Sequence, residues 1–337
     1  MRKALQVVEA GYQVRSSLAE WLKGVALASR PFLDEGEGVF ACLVDATDPR
    51  TVQFTDPIQL GCPPEIWELA KQSATKLTPE EQAANLRRPY TYATVSERLG
   101  PGGTFKKHWM YGGYRDCGLS DFALLTSTDL DGHGIVLGAP RKKLDSTTAR
   151  ERGRWTLIAA HLRAAARLQR AAASGRSLQA PEAVLTPDGK PRHLSSIAQA
   201  PEMRVVLRDA VMQLERIRSS EHGTTADALS IWQALIGGRW SILDQFDADG
   251  KRFLIARPNE PEPPPIRELT NRECQVVSYA RLGHSNKLIS YELGLSPARV
   301  SEATASAMLK LGIRDRRDLL STPVPMECDR GVSPSDR

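Results

Sequence analysis

The stretch that decides the fold of the C-terminal part runs from Leu269 to Leu319 and reads LTNRECQVVSYARLGHSNKLISYELGLSPARVSEATASAMLKLGIRDRRDL. Thr270 and Glu273 have the spacing of a capping box, in which each side chain bonds the backbone amide of the other residue. This spacing predicts a helix that begins at Asn271. The helix should end near Gly283, because glycine takes a left-handed cap without steric cost.

Two further helices follow the same kinds of signal. Ser285 can cap a short second helix, and Ser296 stands before Pro297 at the first helical position, where the missing proline amide costs nothing. In the third helix the inward stripe falls at steps of four, three and four residues, at Val300, Thr304, Ala307 and Leu311. Asp315 can cap a fourth short helix. Short helices joined by tight turns are typical of a helix-turn-helix DNA-binding domain.

The outward face of the third helix and the nearby cations are the candidate DNA contacts. They are Lys287, Ser296, Arg299, Ser301, Glu302, Ala303, Ser306, Lys310, Arg314 and Arg316. Small side chains permit close approach to a major groove, cations pair with phosphates or guanine edges, and Glu302 could accept from a cytosine amine. The alternative for the cations is an ordinary solvated basic face.

This segment resembles the C-terminal domain of LuxR-type (GerE-like) transcriptional regulators. The residues that carry the resemblance are Leu269-Thr270, Arg272-Glu273, Val276-Val277, Gly283, Ser285-Asn286-Lys287, Ile289, Leu293, Ser296, Val300, Lys310-Leu311-Gly312 and Arg316. The resemblance implies an all-α, four-helix domain that binds double-stranded DNA as a homodimer on inverted half-sites and recruits or blocks RNA polymerase. Family members usually carry threonine, lysine and histidine where this chain has Arg299, Ser301 and Ala303, so the resemblance implies no particular operator.

Composition sets the wider limits. A chain of 337 residues is long enough for two or three cores, and 41% hydrophobic with 25% charged residues is ordinary for globular protein. The net charge of +5 permits an anionic partner without establishing one, because the charges are interspersed. Five scattered cysteines favour a reducing compartment. Without an export signal or a long apolar run, we expect a cytoplasmic protein with no membrane association.

Residues 1–174 are expected to form an α+β domain. Helices are predicted over 4–33 (one helix or two joined ones), over 63–86 (two helices, the second opened by Thr78) and over 146–173. Strands are predicted over 90–99 and 107–114, and hairpins over 38–54 and 121–137. The order of these elements resembles that of a GAF-type sensor domain, which consists of an antiparallel sheet with flanking helices. In this chain the helices are expected to cover one side of the sheet. The inward face of the long last helix should hold Trp155, Ile158, Leu162 and Ala165, with its arginines on the opposite face.

The signal of this sensor is open to two interpretations, a small molecule or a protein. Five aromatic residues could line a ligand cavity or simply fill the core: Trp67, Trp109, Tyr111, Tyr114 and Trp155.

A small α+β unit is expected over 175–256. It should contain hairpins over 183–194 and 240–256 and helices over 202–218 and 226–236, with Val205, Val206, Ala210 and Leu214 facing inward. The proline-rich residues 257–265 cannot continue a helix and predict a linker before the C-terminal domain at 266–320. Residues 321–337 lack apolar periodicity and are expected to be a disordered tail.

These patterns favour a non-enzymatic transcriptional regulator that needs no cofactor. No nucleophile with a neighbouring base, metal-ligand spacing or nucleotide-binding loop emerges from the sequence. The alternative is a signalling or interaction scaffold whose DNA-binding domain has decayed, which the unusual Ser301, Glu302 and Ala303 favour.

Overall fold

The computed structural model describes residues 2–47, 52–78, 81–82, 92–130, 132–173, 181–195, 198–219, 240–246, 250–258, 269–313 and 315–320. Two antiparallel sheets with flanking helices precede a helical C-terminal domain. The expected α+β class is confirmed.

The first part of the chain contains a sheet and most of the helices. In chain order its elements are α1 (Arg2–Tyr12), α2 (Leu18–Leu33), β1 (Val39–Asp45), β2 (Gln53–Leu60), α3 (Glu65–Lys76), β3 (Tyr92–Thr94), α4 (Val95–Leu99), a 3-10 helix (Pro101–Lys107), α5 (Trp109–Asp116), β4 (Asp121–Thr128), β5 (His133–Arg141) and α6 (Ala149–Ala173). The strands form one antiparallel sheet in the order β2-β1-β5-β4-β3. Both predicted hairpins and the long last helix are present.

Helices cover this sheet on both faces, and the expectation of one covered side was wrong. Every residue of β4 except its last is buried, and β5 is buried at all but its two ends. Successive side chains of a strand point to opposite faces, so both faces of this hairpin are apolar and need cover. Leu125 and Leu137 pack with α1, α2 and α6, whereas Leu124 and Val136 pack with α3, α4 and α5.

The two strands predicted over 90–99 and 107–114 were largely wrong. Of the described residues in the first segment, only Tyr92–Thr94 form a strand, because Thr94 and Glu97 form a capping box that starts α4. The second segment is α5, whose N-cap His108 accepts from the Met110 amide at 3.3 Å. Met110 and Tyr114 are its buried residues, and their four-residue spacing outweighs the strand preference of the aromatic residues around them.

Helix α6 has the predicted inward face, with Trp155, Ile158, Leu162 and Ala165 all buried. Its arginine face differs from the prediction. Arg163 is 3% exposed, because the C-terminal domain covers that part of the helix.

The second sheet follows α6. Its elements are β6 (Ala183–Leu185), β7 (Pro191–Leu194), α7 (Pro201–Ser219), β8 (Trp240–Phe246) and β9 (Arg252–Pro258), with strand order β7-β6-β9-β8. Both predicted hairpins and the first predicted helix are present. Leu207, Ala210, Val211 and Leu214 form the buried stripe of α7.

Two residues predicted to face inward from α7 were placed wrongly. Val205 and Val206 are 58% and 41% exposed. The buried stripe keeps helical spacing from Leu207 onward, which turns the two valines outward. The predicted helix over 226–236, residues 259–265 of the predicted linker and the tail over 321–337 lie outside the described residues, while β9 continues to Pro258.

One hydrophobic core joins the two sheets. Leu185, Leu207 and Leu254 of the second unit belong to the same cluster as Trp21 and Leu162 of the first. The domain limits at 174 and 256 stay predictions. None of the described helices is long and apolar enough to cross a membrane.

His161 makes the stability of this core dependent on pH. The side chain is buried in α6, with the Tyr12 hydroxyl 3.5 Å from Nδ1, and burial lowers its pKa from 6.5 to about 3. As the pH falls below 6.5, the unfolded chain takes up a proton that the folded chain excludes. The contribution of His161 to the free energy of unfolding is therefore fully present above pH 6.5 and is lost progressively as the pH falls toward 3.

We expect the free energy of unfolding to fall about 1.4 kcal/mol per pH unit more steeply in the wild type than in His161→Gln between about pH 6 and about pH 4. Urea unfolding at a series of pH values measures both slopes. His193→Gln, which changes an exposed histidine of β7, is the control and should follow the wild type. Parallel profiles for the wild type and His161→Gln would contradict this prediction.

Candidate nucleic-acid interface

The C-terminal domain consists of four short helices. They are α8 (Asn271–Arg281), α9 (Asn286–Leu293), α10 (Pro297–Lys310) and a 3-10 helix (Arg316–Leu320). Thr270 Oγ1 accepts from the Glu273 amide at 3.2 Å, and a Glu273 carboxylate oxygen accepts from the Thr270 amide at 2.8 Å. The predicted capping box and the start at Asn271 are confirmed.

A tight turn at Gly294 joins the second and third helices. Gly294 has a left-handed backbone with φ 59°, which glycine takes without strain. Ser285 Oγ accepts from the Leu288 amide at 3.2 Å, and Ser296 Oγ accepts from the Arg299 amide at 3.3 Å. These local bonds fix where α9 and α10 begin and so set the angle between them.

A small core holds these helices together. Val300 and Ala307 of α10 are fully buried, as the predicted inward stripe requires, and Leu311 packs against them from the partly buried edge. Thr304 is buried in the same stripe because its hydroxyl donates to the Val300 carbonyl at 2.7 Å. The opposite side of α10 is left to solvent.

We call this exposed side the α10 ridge. It consists of Ala298, Ser301, Glu302, Ala305 and Leu309. Ser301 and Glu302 were predicted contacts, whereas Ala298, Ala305 and Leu309 were missed. Helical steps of three and four along α10 from Ser301 and Glu302 lead to all three missed residues, so the sequence carried the signal that would have found them.

The other predicted contacts divide into exposed and engaged groups. Lys287, Ser296 and Arg299 are exposed, at the N-terminal ends of α9 and α10. Ala303 is half-buried and packs against the core of the domain. Arg314 lies outside the described residues.

Ser306 and Lys310 bind Glu273 across the domain. Ser306 Oγ donates to Glu273 Oε1 at 2.6 Å, and Lys310 Nζ lies 2.7 Å from Glu273 Oε2. Hydrogen bonds from Lys310 and then Ser306 lower the pKa of the Glu273 carboxyl to about 2. These contacts attach the C-terminal half of α10 to the start of α8.

Arg316 is engaged in a second internal network. Its Nη2 donates to the His284 carbonyl at 2.7 Å, and its Nη1 donates to Asn286 Oδ1. Asn286 Nδ2 then donates to Ser301 Oγ at 3.0 Å. The guanidinium therefore links the last helix to the start of α9 and, through Asn286, to the α10 ridge.

A second candidate site lies in the N-terminal unit. An apolar cavity of about 50 Å³ lies between α3 and the face of the first sheet that α3, α4 and α5 cover. Its walls are formed by Phe40, Cys42, Phe54, Ile66, Leu69, Ala70, Ser73, Val95, Met110, Tyr114, Phe122, Leu124 and Val136. Burial raises the pKa of the Cys42 thiol, so this residue is a neutral part of the apolar wall.

Only one of the five aromatic residues considered for a cavity lines it. Tyr114 does, Trp67, Trp109 and Tyr111 pack partly buried around the same core, and Trp155 belongs to the core on the other face of the sheet. Among the described residues, no group of three histidine, cysteine or acidic side chains could hold a metal ion.

Comparison with known proteins addresses the C-terminal domain most directly. Residues 267–322 match the family model of bacterial regulatory proteins, luxR family. No curated protein matches the chain. Among solved structures, SdiA in complex with octanoyl-rac-glycerol is similar with 9% sequence identity and a TM-score of 0.31, over 95% of this chain and 91% of that chain. A similarity this low supports no conclusion about this chain. The assignment of the C-terminal domain therefore rests on the family match and on the geometry of its helices. Together they confirm the predicted LuxR-type helix-turn-helix domain at the C-terminus of this chain.

Proposed function

We propose that this protein is a cytoplasmic transcriptional regulator that binds specific double-stranded DNA as a homodimer, without catalysis and without a cofactor. The observation that carries the proposal is the α10 ridge, an exposed face on the third helix of a LuxR-type domain. A helix-turn-helix domain places that helix in the major groove, and two copies reach two half-sites. Bound near a promoter, the dimer would recruit RNA polymerase or block its access.

The chemistry of the ridge suggests how bases are read. Ala298, Ser301 and Ala305 are small and allow the helix backbone to come close to the base edges. Arg299, exposed at the N-terminal end of α10, can bond guanine in a bidentate manner or bind a phosphate. Glu302 can accept from a cytosine amine, and Lys287 is placed for a phosphate.

A scaffold that does not bind specific DNA is the competing function. Glu302 stands on the ridge where a cation would favour DNA, and Lys310 and Arg316 are engaged within the domain. The two functions differ in one measurable property, the preference of the protein for particular duplex sequences.

The N-terminal unit is proposed as the sensor. Its cavity has apolar walls and a volume of about 50 Å³, so the signal that it fits is an apolar molecule or group of only a few heavy atoms, whereas a protein signal needs no such cavity. The cavity lies on the face of the sheet opposite α6, with strands β4 and β5 between them.

The first test is selection of duplexes from a random-sequence DNA pool by the full chain. Arg299→Ala should weaken binding to the selected duplex about tenfold, because a guanine or phosphate contact is lost. Arg204→Ala removes an exposed arginine of α7 and serves as the charge-matched control, with no expected effect. Fluorescence anisotropy measures both affinities. A wild-type chain that selects no sequence would instead support the scaffold.

The second test concerns Lys310, which was expected to contact DNA and is bound to Glu273. If the role of Lys310 is to hold α10 against α8, Lys310→Ala and Glu273→Gln should each lower the free energy of unfolding, measured by urea unfolding, by a similar small amount of less than about 1 kcal/mol. The slope of log affinity against log salt concentration should stay unchanged in both. A slope reduced by about one in Lys310→Ala alone would show a phosphate contact and contradict this role.

The third test concerns the cavity. Xenon under pressure should bind there and shift the methyl NMR signals of Leu69, Leu124 and Val136, since apolar cavities in proteins accept xenon. Ala70→Phe places a ring in the cavity and should abolish these shifts. Gln72→Phe adds the same ring to the exposed side of α3 and should leave them intact. Equal shifts in Ala70→Phe and the wild type would contradict the proposed site.

A further inference from the structure

A buried ion pair joins the LuxR-type domain to the N-terminal unit. Arg163 Nη1 of α6 lies 2.8 Å from Glu292 Oε1 of α9, and each side chain is 3% exposed. The Arg163 guanidinium also stands over the ring of Tyr279 in α8, 5.8 Å from its centre. Residues far apart in the sequence therefore form one dehydrated contact, which we call the α6 latch.

The latch is an interaction that a single change disrupts strongly. Burial raises the pKa of Glu292, while Arg163 and Arg167 act in the opposite direction and favour its ionised form. Removal of one partner leaves the other charge buried without compensation. Separation of the two surfaces, by contrast, would return both charges to water and leave neither of them buried without a partner.

The hairpin of β4 and β5 touches both the cavity and the LuxR-type domain. Phe122 and Val136 of this hairpin line the cavity. Its turn begins at Asp129, which accepts from Arg167 of α6 at 2.7 Å, and continues to Leu130, which packs against the core of the C-terminal domain. The hairpin thus connects the wall of the cavity with the surface on which the domain rests.

A chain of contacts continues from the latch to the ridge. The His284 ring stacks on Tyr279 with centres 5.3 Å apart, and its Nδ1 is 4.0 Å from Glu292 Oε1. The backbone carbonyl of His284 accepts from Arg316, whose other nitrogen donates to Asn286. Asn286 in turn donates to Ser301 on the ridge, as described above.

We infer that the α6 latch is the connection through which the N-terminal unit controls DNA binding, and that the latched form is the one that binds DNA. The inference rests on the proposed function and deepens it by naming the residues of control. In the latched form, the contacts from Glu292 through His284, Arg316 and Asn286 hold the start of α10 against α9. When the latch is released, the start of α10 is no longer held in place. DNA binding must then order this region, and the entropy cost of that ordering weakens the affinity for DNA.

Amide hydrogen exchange and DNA affinity, measured on the same full-length variants, test the latch. Arg163→Met and Glu292→Met each leave one buried charge unpaired, and the double variant replaces the pair with apolar side chains that can pack in its place. Each single variant should raise exchange in α8 and α9 and weaken binding to the wild-type-selected duplex about tenfold. The double variant should restore both. Arg150→Met, at an exposed arginine of α6, is the control and should change neither.

Protection of β4 and β5 shows whether a variant has folded, and Glu292→Gln, which keeps the shape of the side chain, replaces Glu292→Met if that variant unfolds. Unchanged exchange in the single variants would overturn the latch, as would raised exchange with unchanged affinity or a double variant that restores neither property. A wild-type chain without duplex preference would overturn the proposed function and this inference together. Normal wild-type binding with unaffected variants would overturn the inference alone.

Discussion

The burial of β4 and β5 on both faces is the constraint on which the rest of the structure depends. A hairpin with apolar side chains on alternate faces cannot leave either face to water, so it requires a layer of helices on each side. One layer is α6 with α1 and α2, and the other is α3, α4 and α5. The cavity lies within the second layer, and the C-terminal domain rests on the first. The position of the hairpin between the cavity and this domain follows from its two-sided burial.

Local signals were sufficient to predict the C-terminal domain almost completely. The Thr270 and Glu273 box, the Ser296 cap and the Gly294 turn each depend on residues within a few positions, so their geometry follows from the sequence alone. The same logic failed for α5, where strand-forming aromatic residues concealed a helical spacing of buried residues. It also misplaced Val205 and Val206, since the phase of a helix is set by what packs on it.

Contacts between distant residues account for the part of the site that the sequence did not predict. Lys310 and Arg316 look like DNA contacts as long as their partners are unknown, because a cation on a short helix near a DNA-binding face fits that role. Their partners Glu273 and Asn286 lie 37 and 30 residues away, and only the fold brings them together. Arg163 looked solvated for the same reason, since nothing near α6 in sequence indicates that α9 will cover it.

An ion pair suits the α6 latch for a physical reason if the two surfaces of the latch separate and close again. Apolar residues of similar size would hold two surfaces together at least as well, because a buried pair loses most of its attraction to the cost of dehydration. Once separated, however, apolar surfaces would remain exposed and tend to aggregate. Arg163 and Glu292 behave differently, since each is well solvated when the surfaces part. An interface of this kind would be specific when closed and soluble when open, which suits the opening and closing that the proposed latch requires.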